Sequence, residues 1–134
     1  MLHVDDFTRF KFIHLLKHKS DAAKELRELV AEHIGPSGIK IGTVRTDRGG
    51  EFKGEFQSLL EELGIKRETA PPYAPQCNGV VERALGLLRD KTVILLRGMT
   101  AGKSDCLWAE VTNYACAMSD RCTTTSLNPS VSPY

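Results

Sequence analysis

Two carboxylates in this 134-residue chain, Asp47 and Glu82, lie in segments that could bring them to one divalent metal ion. Asp47 ends an apolar, β-branched run over 39–46 that is typical of a strand. Glu82 follows Asn78-Gly79 and opens a long helical pattern. A carboxylate at a strand end and another in the first turn of a helix can converge on a cation. Such oxygen ligands suit Mg²⁺, which is held by few carboxylates and keeps several waters.

Each carboxylate also has an ordinary structural explanation. Asp47 could cap the following helix, because Asp favours such positions. Glu82 could stabilise the positive end of a helix dipole. The Gly49-Gly50 pair favours a ligand near Asp47, since glycines allow a close backbone approach. Gly49-Gly50-Glu51-Phe52 also resembles the diguanylate cyclase signature, but that motif needs one more acidic residue and a nucleotide-binding context, and the chain has neither.

Composition and charge indicate an ordinary globular chain. It is 41% hydrophobic and 26% charged, and its length predicts one domain at most. A net charge of +1 gives no global attraction to nucleic acid, so DNA contacts must come from local clusters. We expect no membrane span, no signal peptide and an intracellular location. The four cysteines form no CxxC pair and are expected to be reduced thiols rather than disulfides.

His14 and His18 have a three-residue gap of the kind found in some zinc-binding modules. No CxxC follows them, so we expect no zinc site. His14 is interpreted as part of an alternating strand and His18 as a surface residue near its end.

Apolar periodicity predicts the order ββαβαβαα, an α/β arrangement. Ser20 is expected to cap the first helix, Gly35-Pro36 to stop it, and Gly64 to end the second. We predict that residues 1–122 form the domain and that 123–134 are irregular. The predicted strands cover 1–4, 10–16, 39–46 and 65–69, and the helices about 20–34, 52–63, 80–97 and 107–120.

Four motifs spread over nearly the whole chain match one family pattern. They are Asp5-Asp6-Phe7-Thr8-Arg9-Phe10, Thr46-Asp47 with Gly49-Gly50-Glu51-Phe52, Asn78-Gly79-Val80-x-Glu82-Arg83, and Trp108-Ala109-Glu110. Together they resemble the catalytic core of a copia-type LTR-retrotransposon integrase, in the retroviral integrase superfamily. The resemblance implies an RNase H-like fold truncated at both ends. Its first, central strand is absent, which would leave open edges on the first strand and on the 39–46 strand, an aggregation liability.

The resemblance implies a metal-dependent polynucleotidyl transferase that carries out 3′-end processing and strand transfer. Its two Mg²⁺ or Mn²⁺ ions activate the nucleophile and stabilise the leaving oxygen. Asp47 would hold one metal and Glu82 the other. The Asp that bridges both metals in the family lies on the absent strand, so we expect no activity from this chain alone. Asp5 and Asp6 are considered as substitutes but would lie a few residues too far from the metals.

The resemblance also implies contacts to DNA, both element ends and target duplex. Gln76 and Asn78 would reach DNA from a loop, and Arg83 and Arg89 from the long helix. Arg89 lies two turns after Glu82 on the same face, although a solvated arginine is the simpler alternative. Gly86 stands where the family has another basic residue.

Other integrase protomers are expected partners, whereas a membrane or a small-molecule substrate is not. An active element would place the protein in the nucleus. Trp108 is expected to anchor the last helix in the core. Two alternatives remain: a non-catalytic remnant that binds nucleic acid or a partner integrase through the last two helices, and a translated pseudogene without function.

Overall fold

The computed structural model describes residues 1–71, 78–99, 106–122 and 133. Its elements follow the predicted order ββαβαβαα. Short helical turns cover Lys19–Asp21, Val30–Ile34 and Gly50–Phe52. The strands are β1 (Leu2–Val4), β2 (Lys11–Ile13), β3 (Thr43–Thr46) and β4 (Lys66–Thr69); the helices are α1 (Ala22–Leu29), α2 (Glu55–Glu62), α3 (Gly79–Gly98) and α4 (Trp108–Asp120).

The chain divides into two compact units. The hairpin unit consists of Met1–Leu15 with Gly79–Tyr134, and the βαβ unit consists of Leu16–Asn78. The predicted irregular segment 123–134 lies outside the described residues except for Pro133, and so does most of the predicted loop before α3.

In the hairpin unit, β1 and β2 pair antiparallel, with Leu2 opposite Ile13. The turn between them is closed by Asp5, whose Oδ2 accepts hydrogen bonds from the backbone N–H of Thr8 at 2.7 Å and from its hydroxyl at 2.6 Å. Arg9 completes the turn with a φ of 64°.

Helices α3 and α4 pack on this hairpin around a small apolar core. Leu88 of α3 and Ala115 and Cys116 of α4 are buried, and Leu2 and Ile13 of the hairpin pack against them. The small side chains on α4 allow a close approach of the two helices. The hairpin is thereby fixed to the helix that carries Glu82.

In the βαβ unit, β3 and β4 pair parallel, with Thr43 opposite Lys66 and Thr46 opposite Thr69. Helix α2 provides the crossover that parallel strands require. Phe56 and Leu60 of α2 and Leu26 of α1 are the largest fully buried side chains, so the two helices share one core. Gly64 ends α2 with a φ of 66°, a conformation that favours glycine, as predicted.

The strands are shorter than the sequence predicts. Residues 39–42 belong to the predicted strand but form no strand, and Ile39 is 63% exposed. Strand β3 begins at Thr43 because its partner β4 begins at Lys66, whose N–H donates to the carbonyl of Gly42. The length of a strand depends on its pairing partner, so the residues of the strand alone do not predict that length.

Two local predictions about helix ends and packing are wrong. Ser20 does not cap α1, since it lies inside the turn Lys19–Asp21, where the Asp21 carboxylate accepts a hydrogen bond from the N–H of His18. Trp108 is 53% exposed rather than buried. It is the first residue of α4, and the described part of the chain provides no cover beyond that end.

Within the described residues the strands form two separate pairs, β1 with β2 and β3 with β4. Strands β1 and β3 therefore each have one edge without a described strand beside it.

Candidate active site

Asp47 is positioned by the buried end of β3. Thr46, only 6% exposed, accepts a hydrogen bond on its hydroxyl from Nε of Arg67 at 3.1 Å and one on its carbonyl from the N–H of Ala70 at 3.0 Å. Arg67 also donates to the amide oxygen of Gln57 on α2. These bonds fix the strand end, and Asp47 follows it directly and is exposed.

The loop after Asp47 turns back on its carboxylate. The N–H of Gly49 donates to Oδ1 of Asp47 at 2.8 Å. The Oδ2 atom accepts no hydrogen bond from the described residues. One oxygen is thus held by the backbone, and the other is open to a ligand.

Gly49 is notable for its close neighbours rather than for an unusual backbone angle, since its φ of −53° suits any residue. A Cβ atom there would lie 2.6 Å from Oε2 of Glu51 and 2.9 Å from Oδ1 of Asp47. Gly50, by contrast, has open space beside it. The close approach predicted for the glycine pair therefore falls on Gly49 alone.

Glu51 follows the glycine pair, and the sequence alone assigns it no separate role. Its side chain is 21% exposed, and Oε1 lies 3.9 Å from Nζ of Lys19. No sequence signal identifies its contact with Gly49, because that contact depends on the turn Gly50–Phe52.

Glu82 lies in the first turn of α3 and is exposed. The positive end of the helix dipole stabilises a carboxylate at this position. It accepts no hydrogen bond from the described residues. Asp47 belongs to the βαβ unit and Glu82 to the hairpin unit, and both carboxylates are accessible to a ligand.

The predicted DNA contacts are placed only in part. Arg83 and Arg89 are exposed on α3 and form no ion pair with a described residue. Asn78 is half-buried in the helical turn that leads into α3. Gln76 lies outside the described residues.

Asp5 and Asp6 are engaged in the β1–β2 turn. Oδ2 of Asp5 accepts both hydrogen bonds from Thr8, and Asp6 pairs with Arg9 at 2.6 Å. Burial alone would raise the pKa of Asp5, but the bonds from Thr8 lower it below its usual value. Their positions in the turn disfavour use of these residues as metal ligands.

The donors around Asp47 fit a hydrated hard cation. No cluster of three or more His, Cys, Asp or Glu side chains that could hold a metal occurs among the described residues. Magnesium does not need such a cluster, because it is commonly bound through one or two carboxylates and several waters. The Oδ2 atom of Asp47 and the exposed carboxylate of Glu82 are oxygen donors of the type that Mg²⁺ binds.

His3 and His14 of the hairpin unit form a half-buried pair. The rings of His3 and His14 meet edge to face with centroids 5.6 Å apart. Burial lowers the pKa of His3 to about 4, with further contributions from His14 and the N-terminus. His18 is exposed.

Comparison with known sequences finds relatives among transposon polyproteins. The chain is 31% identical over 119 residues, 88% of its length, to the retrovirus-related Pol polyprotein from transposon TNT 1-94 of Nicotiana tabacum. It is 36% identical over 86 residues, 62% of its length, to the corresponding polyprotein from transposon RE2 of Arabidopsis thaliana. No protein-family model matches.

Comparison with solved structures identifies the fold. The catalytic core domain of BIV integrase superposes with a TM-score of 0.73 at 19% identity, covering 99% of this chain and 80% of that one. In sequence the chain is similar to retrovirus-related Pol polyproteins, and in fold it is integrase-like. A chain of the simian T-cell lymphotropic virus intasome, solved in complex with PP2A regulatory subunit B56 gamma, superposes with a TM-score of 0.74 at 22% identity. That superposition covers 96% of this chain and 45% of the viral chain.

These likenesses confirm the predicted RNase H-like integrase-core fold. The chain spans only 9% of the tobacco polyprotein and 6% of the RE2 polyprotein. Among the residues described, no helix combines the length and apolar character needed to cross a membrane.

Proposed function

We propose that this chain supplies the Asp47 and Glu82 carboxylates of a copia-type integrase, a metal-dependent polynucleotidyl transferase that processes 3′ ends and transfers strands. The observation that carries the proposal is the position of Asp47. It stands directly after β3, the strand end is fixed by buried bonds, and one carboxylate oxygen is left open. The integrase-core fold and the Pol relatives support the same reaction class.

Each carboxylate has a defined task in this reaction. The Gly49 N–H holds Oδ1 of Asp47, so the side chain keeps one orientation toward a ligand. Glu82 presents its carboxylate from a helix, a rigid support. A bound Mg²⁺ or Mn²⁺ pair supplies the activation of the nucleophile and the stabilisation of the leaving oxygen in an in-line displacement at phosphorus.

The DNA would be held by charge rather than by base reading. Arg83 and Arg89 are exposed cations on the helix that carries Glu82, and they lie within reach of a backbone that runs along α3. Asn78 and Gln76 precede that helix and are proposed to contact the same DNA. Element ends and a chromosomal target duplex are the proposed substrates, which places the reaction in the nucleus.

The proposal is tested by nicking of a supercoiled plasmid with Mg²⁺ or Mn²⁺. We expect the 134-residue chain alone to be inactive, because it carries two of the three carboxylates that the family uses. A version extended before Met1 by a family-type strand bearing Asp should nick DNA, and Asp47→Asn or Glu82→Gln should abolish the activity. The same extension bearing Asn should fold but not nick. Glu82-dependent nicking by the unextended chain would contradict the expected inactivity.

A second candidate function is binding of a partner integrase protomer without catalysis. It is favoured by apolar side chains that are exposed on the last two helices. On α3, Leu85 is 53%, Leu87 56% and Ile94 68% exposed. Leu87 and Ile94 lie two turns apart on one face of α3, and exposed apolar side chains that share a face can form an interaction site.

Light scattering after size exclusion tests this second function. A self-associating chain should become monomeric when Leu87 and Ile94 are both replaced by Glu. The matched control is Asp90→Asn, an exposed change on the same helix. A monomeric natural chain would remove self-association as the function of this surface.

A further inference from the structure

The Glu51 carboxylate lies against Gly49, inside the loop that carries Asp47. An ideal Cβ atom on Gly49 would be 2.6 Å from Oε2 of Glu51 and 2.7 Å from its Cδ. Real Cβ contacts are essentially never shorter than 3.0 Å. The position that a Cβ atom would take on Gly49 is therefore occupied by the ends of the Glu51 and Asp47 side chains, with Oδ1 of Asp47 2.9 Å from it.

The backbone of Glu51 is anchored independently of its side chain. The turn Gly50–Phe52 is closed by hydrogen bonds from the N–H of Phe52 to the carbonyl of Gly49 and from the N–H of Lys53 to that of Gly50. The ring of Phe52 packs edge to face on Phe56, at 5.1 Å between centroids, and Phe56 is 1% exposed. The turn is thus attached to the core of the βαβ unit, and Glu51 is directed back toward Gly49.

Glu51 is also more enclosed than a surface acid. Its side chain is 21% exposed, whereas that of Lys19, the cation 3.9 Å away, is 86% exposed. Such a distant, solvated ion pair provides little energy. Pairing with Lys19 therefore does not account for the position of the Glu51 carboxylate, which lies beside Gly49.

We propose that Glu51 is a positioning residue for Asp47. By filling the space beside Gly49, it keeps the loop in the conformation in which the Gly49 N–H donates to Oδ1 of Asp47. The other oxygen of Asp47 then faces a ligand in one fixed orientation. This inference rests on the proposed function, in which Asp47 binds a metal, but the positioning of the loop can be observed without metal.

The NMR signal of the Gly49 amide reports this hydrogen bond directly, because donation to a carboxylate moves the amide proton downfield. Asp47→Asn should weaken the bond and move the signal upfield, and Glu51→Ala should move it in the same direction. Glu51→Gln, which keeps the volume, should retain the natural signal. Glu55→Ala, which removes an exposed acid at the start of α2, is the matched control.

Mn²⁺ binding, followed by water-proton relaxation, provides the second measurement. Glu51→Ala should weaken binding roughly tenfold, as expected for a residue that orients a metal ligand, whereas Glu51→Gln should bind close to the natural chain. If the natural chain binds no Mn²⁺ but the Gly49 signal responds as described, the metal role fails and the positioning stands. An unchanged Gly49 signal in Glu51→Ala, or a Gln variant that behaves like the Ala variant, would overturn the positioning proposal.

Discussion

The ammonium of Lys11 on β2 lies 2.6 Å from the carboxylate of Asp120 at the end of α4, and both side chains are nearly buried, at 9% and 5% exposed. The N–H of Lys11 donates to the same carboxylate at 3.4 Å, and the thiol of Cys116 donates to the carbonyl of Lys11. The pair joins residues 109 positions apart. It fixes the hairpin to the last helix through charge as well as through apolar contact.

Breaking this pair on one side should strongly destabilise the hairpin unit. In Lys11→Met the Asp120 carboxylate remains buried without its cation, at a cost of about 3–5 kcal/mol in the free energy of unfolding. Urea denaturation followed by circular dichroism measures the loss. The double variant Lys11→Met with Asp120→Leu should recover much of it, because both charges are removed together.

The control is the exposed pair of Arg27 and Glu62, joined by two hydrogen bonds of 3.1 and 3.0 Å. Such solvated pairs contribute little to stability, so Arg27→Ala should barely move the urea midpoint. A Lys11→Met midpoint no lower than that of Arg27→Ala would contradict the structural role of the buried pair.

Stability should fall in mild acid because of His3. Burial lowers the pKa of His3 from 6.5 to about 4, so between these values the unfolded chain binds more protons than the folded one. The stabilisation is present above pH 6.5 and is lost as the pH falls toward about 4, by up to about 1.4 kcal/mol per pH unit. Urea midpoints at several pH values measure it.

Replacing His3 by Gln should flatten that pH dependence, whereas replacing the exposed His18 by Gln should leave it as it is. If the urea midpoint changes with pH equally in the natural chain and in His3→Gln, the acid sensitivity comes from other groups.

The thiols should differ in reactivity. Cys106 and Cys122 are exposed, whereas Cys116 is buried and its pKa is raised to about 11, by burial first and then by Asp120. Because the thiolate is the reactive form, a thiol reagent at pH 8 should label Cys106 and Cys122 quickly and Cys116 slowly. Peptide mapping in a Cys77→Ser background identifies the sites. Rapid labelling of Cys116 in the folded protein would show that the α3–α4 core opens readily.

Element order could be predicted because each helix carries its own apolar stripe, and the end of α2 could be predicted from its stop signal at Gly64. The starts of α1 and α2 could not, since short helical turns precede both helices. Strand ends could not, since the start of β3 depends on where β4 begins. The burial of Trp108 was mispredicted because an aromatic at a helix end packs only if a neighbour covers that end.

In the candidate site, too, some residues could be predicted from the sequence and some contacts could not. Asp47 and Glu82 could be identified from short motifs that stay together in the sequence. The contact of Glu51 with Gly49 depends on a turn that Phe52 anchors to Phe56, and the pair of Lys11 and Asp120 depends on the whole unit. Neither relationship has a local sequence pattern.

DNA binding should be electrostatic and independent of sequence. Removal of one arginine–phosphate interaction should reduce the slope of log affinity against log salt by about 0.9, so Arg83→Ala and Arg89→Ala should each lower it by about one unit. Fluorescence anisotropy with two unrelated duplexes over a salt series measures both the salt slope and the sequence preference. A salt-insensitive interaction, or strong preference for one duplex, would contradict the proposed binding to phosphates.

The role of Asp47 and Glu82 as metal ligands is tested most directly by calorimetric titration of the natural chain with Mg²⁺. We predict weak binding that is reduced in both Asp47→Asn and Glu82→Gln. Asp90→Asn, which removes an exposed carboxylate from the same helix as Glu82, should bind like the natural chain. Binding that is unchanged in both Asp47→Asn and Glu82→Gln would contradict the metal site.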